Sequence, residues 1–506
     1  MQKILAAHQI RHLDEQTIRE EPIASLDLME RASLAFVQAF RAQFSDLDRP
    51  ITILCGDGNN GGDGLAIARR LHELSYEVFV LRARMGNTPS PDNATNWERL
   101  QAKRVIACQE LTAGDPLPEL PASGILIDGL LGSGLSRPVT GYWAGLIDHL
   151  NTLDQLRIAI DIPSGLFVDQ PTTGSALQAA YTFTFQVPKL AFFAPENAPY
   201  VGEWQVLDIG LLPSALAAAV TKNYYVQLPD VAALLKTRGR FDHKGTFGHA
   251  LIVAGSYGKI GAAILSARAA LRAGCGLVTV HLPRCGYEIM QIAFPEAMVQ
   301  VDRHQFICTQ VPQPDTYSAI GIGPGIGTNP VTQAGLHQLL EQSSAPLVLD
   351  ADALNILGLQ PSWQTLLPAN SILTPHPKEF ERLFGPTANS FERWERLRHE
   401  AQRLQCYILL KGGYSAIATP TGEVYFATVG NPGMGTAGAG DVLTGIVTGL
   451  LAQGYPVETA ILLGVCLHGL AGDLAAEAQQ MESLIAEDII QYLGAAFGAL
   501  RRIGEV

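Results

Sequence analysis

Gly433-Met434-Gly435-Thr436-Ala437-Gly438-Ala439-Gly440-Asp441 runs directly into VLTGIVTGLLAQG, Val442 to Gly454. A glycine-rich turn that opens at once into an apolar helix leaves free backbone N–H groups at the helix start. Those groups form an anion pocket, and the helix dipole strengthens it. Asp441 falls in the first turn beside the pocket. A carboxylate there can take the proton of a hydroxyl that attacks phosphorus. Aspartate at a helix start is also an ordinary cap, so the motif needs support from elsewhere in the chain.

Working outward, short apolar runs precede this motif at intervals. They are ALIVAGS (250–256), LVTVHLP (277–283), AIGIGPG (319–325), PLVLDADAL (346–354), SILTPHP (371–377) and YILLKGG (407–413). Beyond them, SAIATP and EVYFAT read as a hairpin around Thr421-Gly422. The N-terminal part shows the same texture in ITILCG (51–56), VFVL (78–81), ILIDGLLG (125–132) and IAIDIPSG (158–165). Two helices precede it, between His8 and about Phe44. Runs that are apolar on both faces fit parallel strands covered by helices. The texture breaks between Asp208 and Tyr225, which places a domain boundary near residue 222. The expectation is an α/β chain of two domains, 1–222 and 223–506, each a three-layer αβα unit.

The polar residues with chemical capacity cluster at the C-terminal ends of these runs: Asn59, Asn60, Asp63, Asp128, Asp161, Asp350, His376 and Lys411. Ligands of open parallel sheets bind just beyond those ends. Each residue alone suits a turn equally well, but the set does not have that excuse. Lys411-Gly412-Gly413-Tyr414-Ser415 lets a phosphate approach the backbone, and His376 and Glu379 stand three residues apart after another strand. GDGNNGGDG (56–64) reads as a glycine-rich curl before the helix LAIARRLHEL, and it is not the GxGxxG dinucleotide fingerprint. Gly132-Ser133-Gly134-Leu135-Ser136-Arg137-Pro138 is a second such loop.

Bulk composition narrows the class. The 506 residues carry a net charge of −13 with no basic run, which argues against a nucleic-acid partner. The seven cysteines are scattered and odd in number, with no CxxC, which argues for reduced thiols in a cytoplasmic protein rather than a disulfide framework or zinc site. The N-terminus turns charged too early for a signal peptide, and no uninterrupted apolar segment reads as a membrane span.

Two resemblances follow from these motifs. VLDADALN, TPHPKEF, KGG and NPGMGTAGAGDVLTG, from about Gln227 onward, resemble the nucleotide-dependent NAD(P)H-hydrate dehydratases of the ribokinase superfamily. The resemblance implies that Lys411, Gly412, Gly413, Tyr414, Ser415 and Gly440 bind the adenine nucleotide. It makes Asp441 the base and has Ala262, Gly325, His376 and Asp441 contact the hydrate. Glu379 would support Mg²⁺ through water. NNGGDG, DGLLGSGLSRP, AIDIPSG and HQIRHLDEQTIREEPIASLDLMERA resemble the NAD(P)H-hydrate epimerases, with Ser33 where glycine is common. Here Asn59, Asn60, Gly61, Gly62, Asp63 and the loop from Gly132 to Pro138 would hold the hydrate, with Asp161 at the reacting ring. K⁺ would sit on Asn60, Asp128 and Ser164, an oxygen-rich set suited to a hard cation.

The order epimerase then dehydratase is similar to that of bifunctional NAD(P)H-hydrate repair enzymes. It implies repair of hydrated NADH and NADPH by R/S epimerisation at C6 and dehydration of the S epimer. ADP would be consumed to AMP and phosphate, ATP remaining open as the nucleotide. The family implies a homo-oligomer and no membrane or nucleic-acid partner. Two other readings stay open on the residues. One is a kinase of a small alcohol or vitamin precursor with a fused nucleotide-binding domain, and the other an N-terminal module that only senses a ligand.

Overall fold

The computed structural model describes residues 1–504 and divides the chain into two compact units. One holds residues 2–221 with 389–391; the other holds the rest of the described chain. A two-residue strand β1 (Gln2–Lys3) opens the first unit, ahead of helices Ala7–Glu20 and Ser25–Gln43. Seven parallel strands follow: β2 (Ile51–Cys55), β3 (Val78–Arg84), β4 (Ala107–Thr112), β5 (Ile125–Gly129), β6 (Leu156–Ile160), β7 (Tyr181–Phe185) and β8 (Glu203–Leu207). Their order is β4-β3-β2-β5-β6-β7-β8. The order reverses at β2, so chain leaving β2 and β5 opens at a switch point, the ligand-binding crevice of such sheets.

Both faces of this sheet are covered. Ile51, Ile53 and Cys55 pack with Phe36, Phe40, Leu65 and Leu71 of the helices before and after β2. Leu54 and Leu126, of opposite parity, pack with Leu146, Ile147 and Leu150 of helix Gly141–Thr152. Burial on both faces explains why these strands read as continuous apolar runs.

The second unit contributes ten strands: β9 (Asn223–Val226), β10 (His249–Val253), β11 (Leu277–Leu282), β12 (Met298–Val301), β13 (Ala319–Ile322), β14 (Leu347–Leu349), β15 (Ile372–Leu373), β16 (Tyr407–Leu410), β17 (Ser415–Ala418) and β18 (Val424–Ala427). They lie in the order β9-β18-β17-β16-β15-β14-β13-β10-β11-β12. Only β17 runs antiparallel to its neighbours; β17 and β18 form the expected hairpin. Helices Ile260–Arg272, Ala439–Ala452, Val457–Gln479 and Ala486–Gly504 carry an extensive apolar cluster of the unit.

One helix bears on the expectation that no uninterrupted apolar segment is long enough to span a membrane. Helix Val457–Gln479 is long and apolar enough by composition to cross a membrane. His468 and Asp473 break up its apolar sequence, but too few charges remain to exclude it by length and hydropathy. In the fold 72% of its apolar window is buried, among the aliphatic side chains of the neighbouring helices.

Helices Ile260–Arg272 and Ala439–Ala452 cross at backbone contact. A Cβ on Gly445 would stand 2.1 Å from Ser266 O, and one on Gly449 2.5 Å from Ala270 O. Small residues at the crossing are therefore a geometric requirement. Gly445→Ala should lower stability by about 1–3 kcal/mol through overpacking. Gly494, inside helix Ala486–Gly504 with open space at its Cβ position, should become more stable on substitution by alanine, by up to about 1 kcal/mol. Urea denaturation of the two variants should show midpoints shifted in opposite directions.

Candidate active sites

In the second unit, Lys411 follows β16 and Asp350 follows β14, so both project from carboxyl ends of the sheet. The Lys411 ammonium donates to Asp350 Oδ1 at 2.7 Å, and the Thr444 hydroxyl donates to Asp350 Oδ2 at 2.7 Å. Thr444 belongs to helix Ala439–Ala452, so one buried carboxylate joins two strand ends to the start of that helix. The glycine-opened helix start, a cradle of backbone amides, lies against this pair: a Cβ on Gly440 would be 3.5 Å from Lys411 Nζ and 3.6 Å from Asp350 Oδ2. Gly438 caps the helix with φ +91°, a conformation suited to glycine. The helix therefore begins two residues before Asp441, leaving the first-turn amides without intrahelical acceptors.

Asp441 is thus held beside both the cradle and Lys411. Its backbone carbonyl accepts from Ser266 Oγ at 2.9 Å. Burial, then the negative charge of Asp350, raises its pKa to about 6; Lys411 opposes the shift. Such a carboxyl is ionised at neutral pH yet basic enough to accept a proton. His468 Nε2 lies 2.9 Å from Ala439 O at the helix start, and burial pushes this imidazole down to about 4, so it is neutral.

His376 caps helix Pro377–Phe384. Its Nδ1 accepts from the amides of Lys378 (3.1 Å) and Glu379 (3.4 Å), and Glu379 Oε2 accepts from the His376 amide at 2.9 Å. This reciprocal box assigns the ring proton to Nε2, which lies 3.3 Å from Glu379 Oε1. Burial, reinforced by Lys411 and Arg382 against the pull of Glu379, keeps the imidazole neutral. Glu379 Oε2 stands 4.0 Å from Lys411 Nζ. Both Glu379 oxygens are already engaged, so the residue suits contact with a cation through water better than direct ligation.

Gly325, at φ +66°, faces helix Ile260–Arg272: its added Cβ would lie 3.1 Å from Lys259 O and 3.3 Å from Ala262 Cβ. Ser256 Oγ donates to Gly325 O at 2.6 Å. Ala262 precedes Ser266 by one helical turn, on the side that meets Asp441. Asp352 accepts from Gly327 N at 2.8 Å, lies 3.5 Å from Lys259 Nζ and raises the pKa of Asp441. Gly412, Gly413 and Tyr414 are exposed after Lys411, and Ser415 opens β17.

In the first unit, Asp128 is fully buried at the end of β5. Its Oδ1 lies 2.6 Å from Ser164 Oγ and accepts from Leu130 N at 3.1 Å, while Oδ2 accepts from Ser164 N at 2.7 Å. Burial raises its pKa to about 6 against these bonds. Ser164 Oγ accepts from Leu131 N at 2.8 Å, and Asn60 Nδ2 donates to Leu131 O at 2.8 Å. Asn60, Asp128, Ser164 and the Leu131 carbonyl thus form one oxygen-rich knot. Gly132 belongs to it: its Cβ would come within 2.9 Å of Asn60 Cβ. Ser133 and Leu135 are half-buried, whereas Gly134, Ser136, Arg137 and Pro138 are exposed.

Asp161 follows β6 at φ +64°, a strained conformation for a non-glycine residue. Its Oδ1 accepts from Lys189 Nζ (2.5 Å), Phe185 N (3.0 Å) and Thr184 Oγ1 (3.3 Å). Lys189 is fully buried and also donates to Phe185 O (3.0 Å) and Val187 O (3.2 Å). Asp63 and Asp14 feel Asp161. Burial, then Asp161, pushes Asp14 to about 7 and drives Asp63 well above the carboxylate range.

The glycine run 56–64 differs from the expected curl. Helix Asn59–Glu73 has already begun at Asn59, so Asn59, Asn60, Gly61, Gly62 and Asp63 are its first turns. A Cβ on Gly61 would meet Gly56 O at 2.0 Å, and one on Gly62 or Gly64 would press on Met29 or Cys55. Close packing of the helix on its neighbours, more than looping, demands these glycines.

A family model described as NAD(P)H-hydrate dehydratase matches residues 250–494, and one described as YjeF-related protein N-terminus matches residues 25–191. A bifunctional NAD(P)H-hydrate repair enzyme of Moorella thermoacetica is 35% identical over 97% of this chain and 96% of its own length. That of Coxiella burnetii is 35% identical over 96% and 97%. The chain belongs to the bifunctional NAD(P)H-hydrate repair enzymes. Among solved structures, the ADP/ATP-dependent NAD(P)H-hydrate dehydratase of Bacillus subtilis, co-crystallised with ATP and Mg²⁺, is 30% identical with a TM-score of 0.49. That match covers 55% of this chain and 98% of the other.

Within this repair-enzyme chain, several partners of the candidate site residues escape sequence reading. Lys189 lies in VPKLAFF, an apolar context that reads as core, and Asp14 sits among the charges of a surface-like helix. Thr444 has no motif signal beyond its place one turn after Gly440. The spacing i, i+4 on a glycine-opened helix could have flagged it.

The buried Asp161–Lys189 pair makes a direct prediction. Lys189→Met should destabilise the chain by about 3–5 kcal/mol, because it strands a buried carboxylate. The double variant Asp161→Asn/Lys189→Met should recover most of that loss. Equal losses for single and double variants in urea denaturation would exclude the pair as the cause.

Proposed function

We propose that the two clusters divide one repair between them. The chain restores hydrated NADH and NADPH. Its N-terminal unit interconverts the R and S epimers at C6, and its C-terminal unit dehydrates the S epimer. In this reading ADP is the nucleotide consumed, giving AMP and phosphate. The observation that carries it is the placement of Asp441 beside Gly440 and the Lys411–Asp350 pair. Similarity over nearly the whole chain to bifunctional repair enzymes favours this over a fused small-alcohol kinase.

The chemistry follows from charge. The Asp441 carboxylate takes the proton of the hydrate's hydroxyl as its oxygen bonds to the terminal phosphorus of the nucleotide. The bond from that phosphorus to the AMP oxygen breaks. Lys411 and the helix-start amides hold the negative phosphoryl oxygens, with Gly412, Gly413, Tyr414 and Ser415 lining the nucleotide. The C6–oxygen bond then breaks with phosphate as the leaving group, far better than hydroxide, and a C5–H bond breaks to give the C5–C6 double bond, its proton leaving on the phosphate. Ala262, Gly325 and neutral His376 position the ring. Mg²⁺, when bound, neutralises phosphate charge, and Glu379 would hold its water.

In the N-terminal unit, Asn59, Asn60, Gly61, Gly62, Asp63 and the loop from Gly132 to Pro138 hold the hydrate against Asp161. Lys189 Nζ donates to Asp161, while Asp14, whose pKa burial raises to about 7, can give and take a proton beside it. K⁺ fits the knot of Asn60, Asp128 and Ser164, whose donors are oxygens. The seven free thiols suit a reducing cytoplasm, and the family resemblance implies a homo-oligomer.

The test follows recovery of dihydronicotinamide absorbance from mixed R and S hydrate, with ADP and ATP side by side. Asp441→Asn should lower dehydration at least about 100-fold while R-to-S conversion persists. Asp161→Asn should do the reverse. Loss of both activities in either variant contradicts separate sites. Because the pKa of Asp441 is raised to about 6, the base form is lost as pH falls through that value. Dehydration should then fall about tenfold per pH unit below it. Asp350→Asn removes a like charge and should move this limb to lower pH; an unmoved limb would assign it to another group.

A further inference from the structure

A cavity lies at the opposite end of helix Ala439–Ala452 from the anion pocket beside Asp441. It has a volume of about 500 Å³ and is walled by the segment 235–247, the turn Ala273-Gly274, Gln453, Tyr455 and the last helix. Helix Ala439–Ala452 starts at the cradle and ends at Gln453. Its 14 residues span about 21 Å at 1.5 Å per residue. The cavity is therefore distinct from the site of Asp441.

Among the described residues four cations line it, Lys236, Arg238, Arg272 and Arg501, and one carboxylate, Asp242. Among the described residues none of the four has a carboxylate within 4.0 Å. This is unexpected in a chain of net charge −13. Part of the positive charge has a structural use. Lys236 Nζ donates to Gln453 O (3.1 Å) and Gly454 O (2.8 Å), and Arg238 to Gly274 O (2.7 Å), at two helix C-termini. Each such terminus carries roughly half a negative charge. Two termini and Asp242 thus offset about two of the four positive charges. Arg272 and Arg501 remain unmatched, both exposed, although Arg501 donates to Lys236 O at 3.4 Å.

The two cations at the helix termini are also oriented by aromatic rings. Lys236 Nζ sits 4.4 Å over the Tyr455 ring, and the Arg238 guanidinium 4.0 Å over Phe247. Ring contact fixes both side chains, and beyond their helix-terminal bonds Lys236 keeps one N–H and Arg238 its Nε and Nη1 groups as donors. A concave site of this volume, with oriented donors and excess positive charge, fits a compact polyanion. We propose that this cavity binds a small molecule carrying two or more linked phosphate groups, either a nucleoside polyphosphate or a free polyphosphate. It is a site additional to the proposed catalytic one.

The experiment is calorimetric titration of the full chain at low salt with tripolyphosphate, and separately with ADP. The variant Arg272→Glu/Arg501→Glu changes exposed side chains and leaves the helix-terminal bonds of Lys236 and Arg238 in place. Wild type should bind one more tripolyphosphate per chain than this variant, and the extra site should weaken at least tenfold between 50 and 200 mM salt, about the loss expected when several phosphate charges are neutralised. Arg272→Ala/Arg501→Ala, a milder change, should weaken the same site at least tenfold. Tighter binding of ADP than of tripolyphosphate there identifies a nucleoside ligand, and the reverse a free polyphosphate. Equal stoichiometry and affinity in wild type and both variants, with thermal melting showing all folded, overturns the proposal. The readout is binding alone, so its failure leaves the dehydration assay untouched.

Discussion

The C-terminal site depends on one buried carboxylate. Asp350 accepts from Lys411 on one oxygen and from Thr444 on the other, and so couples two strand ends to the helix that carries Gly440 and Asp441. A buried carboxylate is costly unless paired and hydrogen-bonded, and here both oxygens are satisfied. The same charge sets the chemistry of its neighbour. Asp441 lies near enough to feel Asp350, so its proton affinity rises, while Lys411 limits the rise. One residue therefore fixes position and basicity together.

The N-terminal unit meets a comparable demand with a different balance. Asp161 is held by an ammonium with no exposure to solvent, and its backbone sits at positive φ. Strain of about 1–3 kcal/mol at such a residue persists only where the surroundings enforce it, and three donors on Oδ1 do so. Burial, and then the negative charge of Asp161, raise the pKa values of Asp14 and Asp63, and Lys189 only partly opposes the rise at Asp14. A hydrogen-bonded Asp161–Lys189 pair beside carboxyl groups of raised pKa is an arrangement in which a proton can be given and taken near neutral pH.

Much of this was legible in the sequence because central strands of a helix-covered sheet must be apolar on both faces. Each of the twelve stretches read as a strand does contain one, usually ending sooner than the run itself, since Gly325, His376 and Lys411 lie in the turns beyond. The edge strands escaped. Ala107–Thr112 buries only Leu111, and Met298–Val301 buries no residue fully. An edge strand with one neighbour needs no continuous apolar run. Motifs exposed the residues that would touch ligand, such as Lys411 and Asp441. Their partners Thr444 and Lys189 were hidden, because a partner is defined by distance in the fold and carries no local pattern.

The two helices that meet at Gly445 and Ser266 explain why the site can be held this tightly. Backbone-to-backbone approach there leaves little freedom for one helix to slide past the other. Ser266 then donates to the carbonyl of Asp441 itself, one turn from Ala262. The elements proposed to hold the ring and to take its proton are consequently parts of one packed pair. Glycine at 445 and 449 is a cost to each helix alone, of about 1 kcal/mol per residue. The crossing offsets it, since alanine at either place would drive the helices apart and carry the carboxylate away from Ala262.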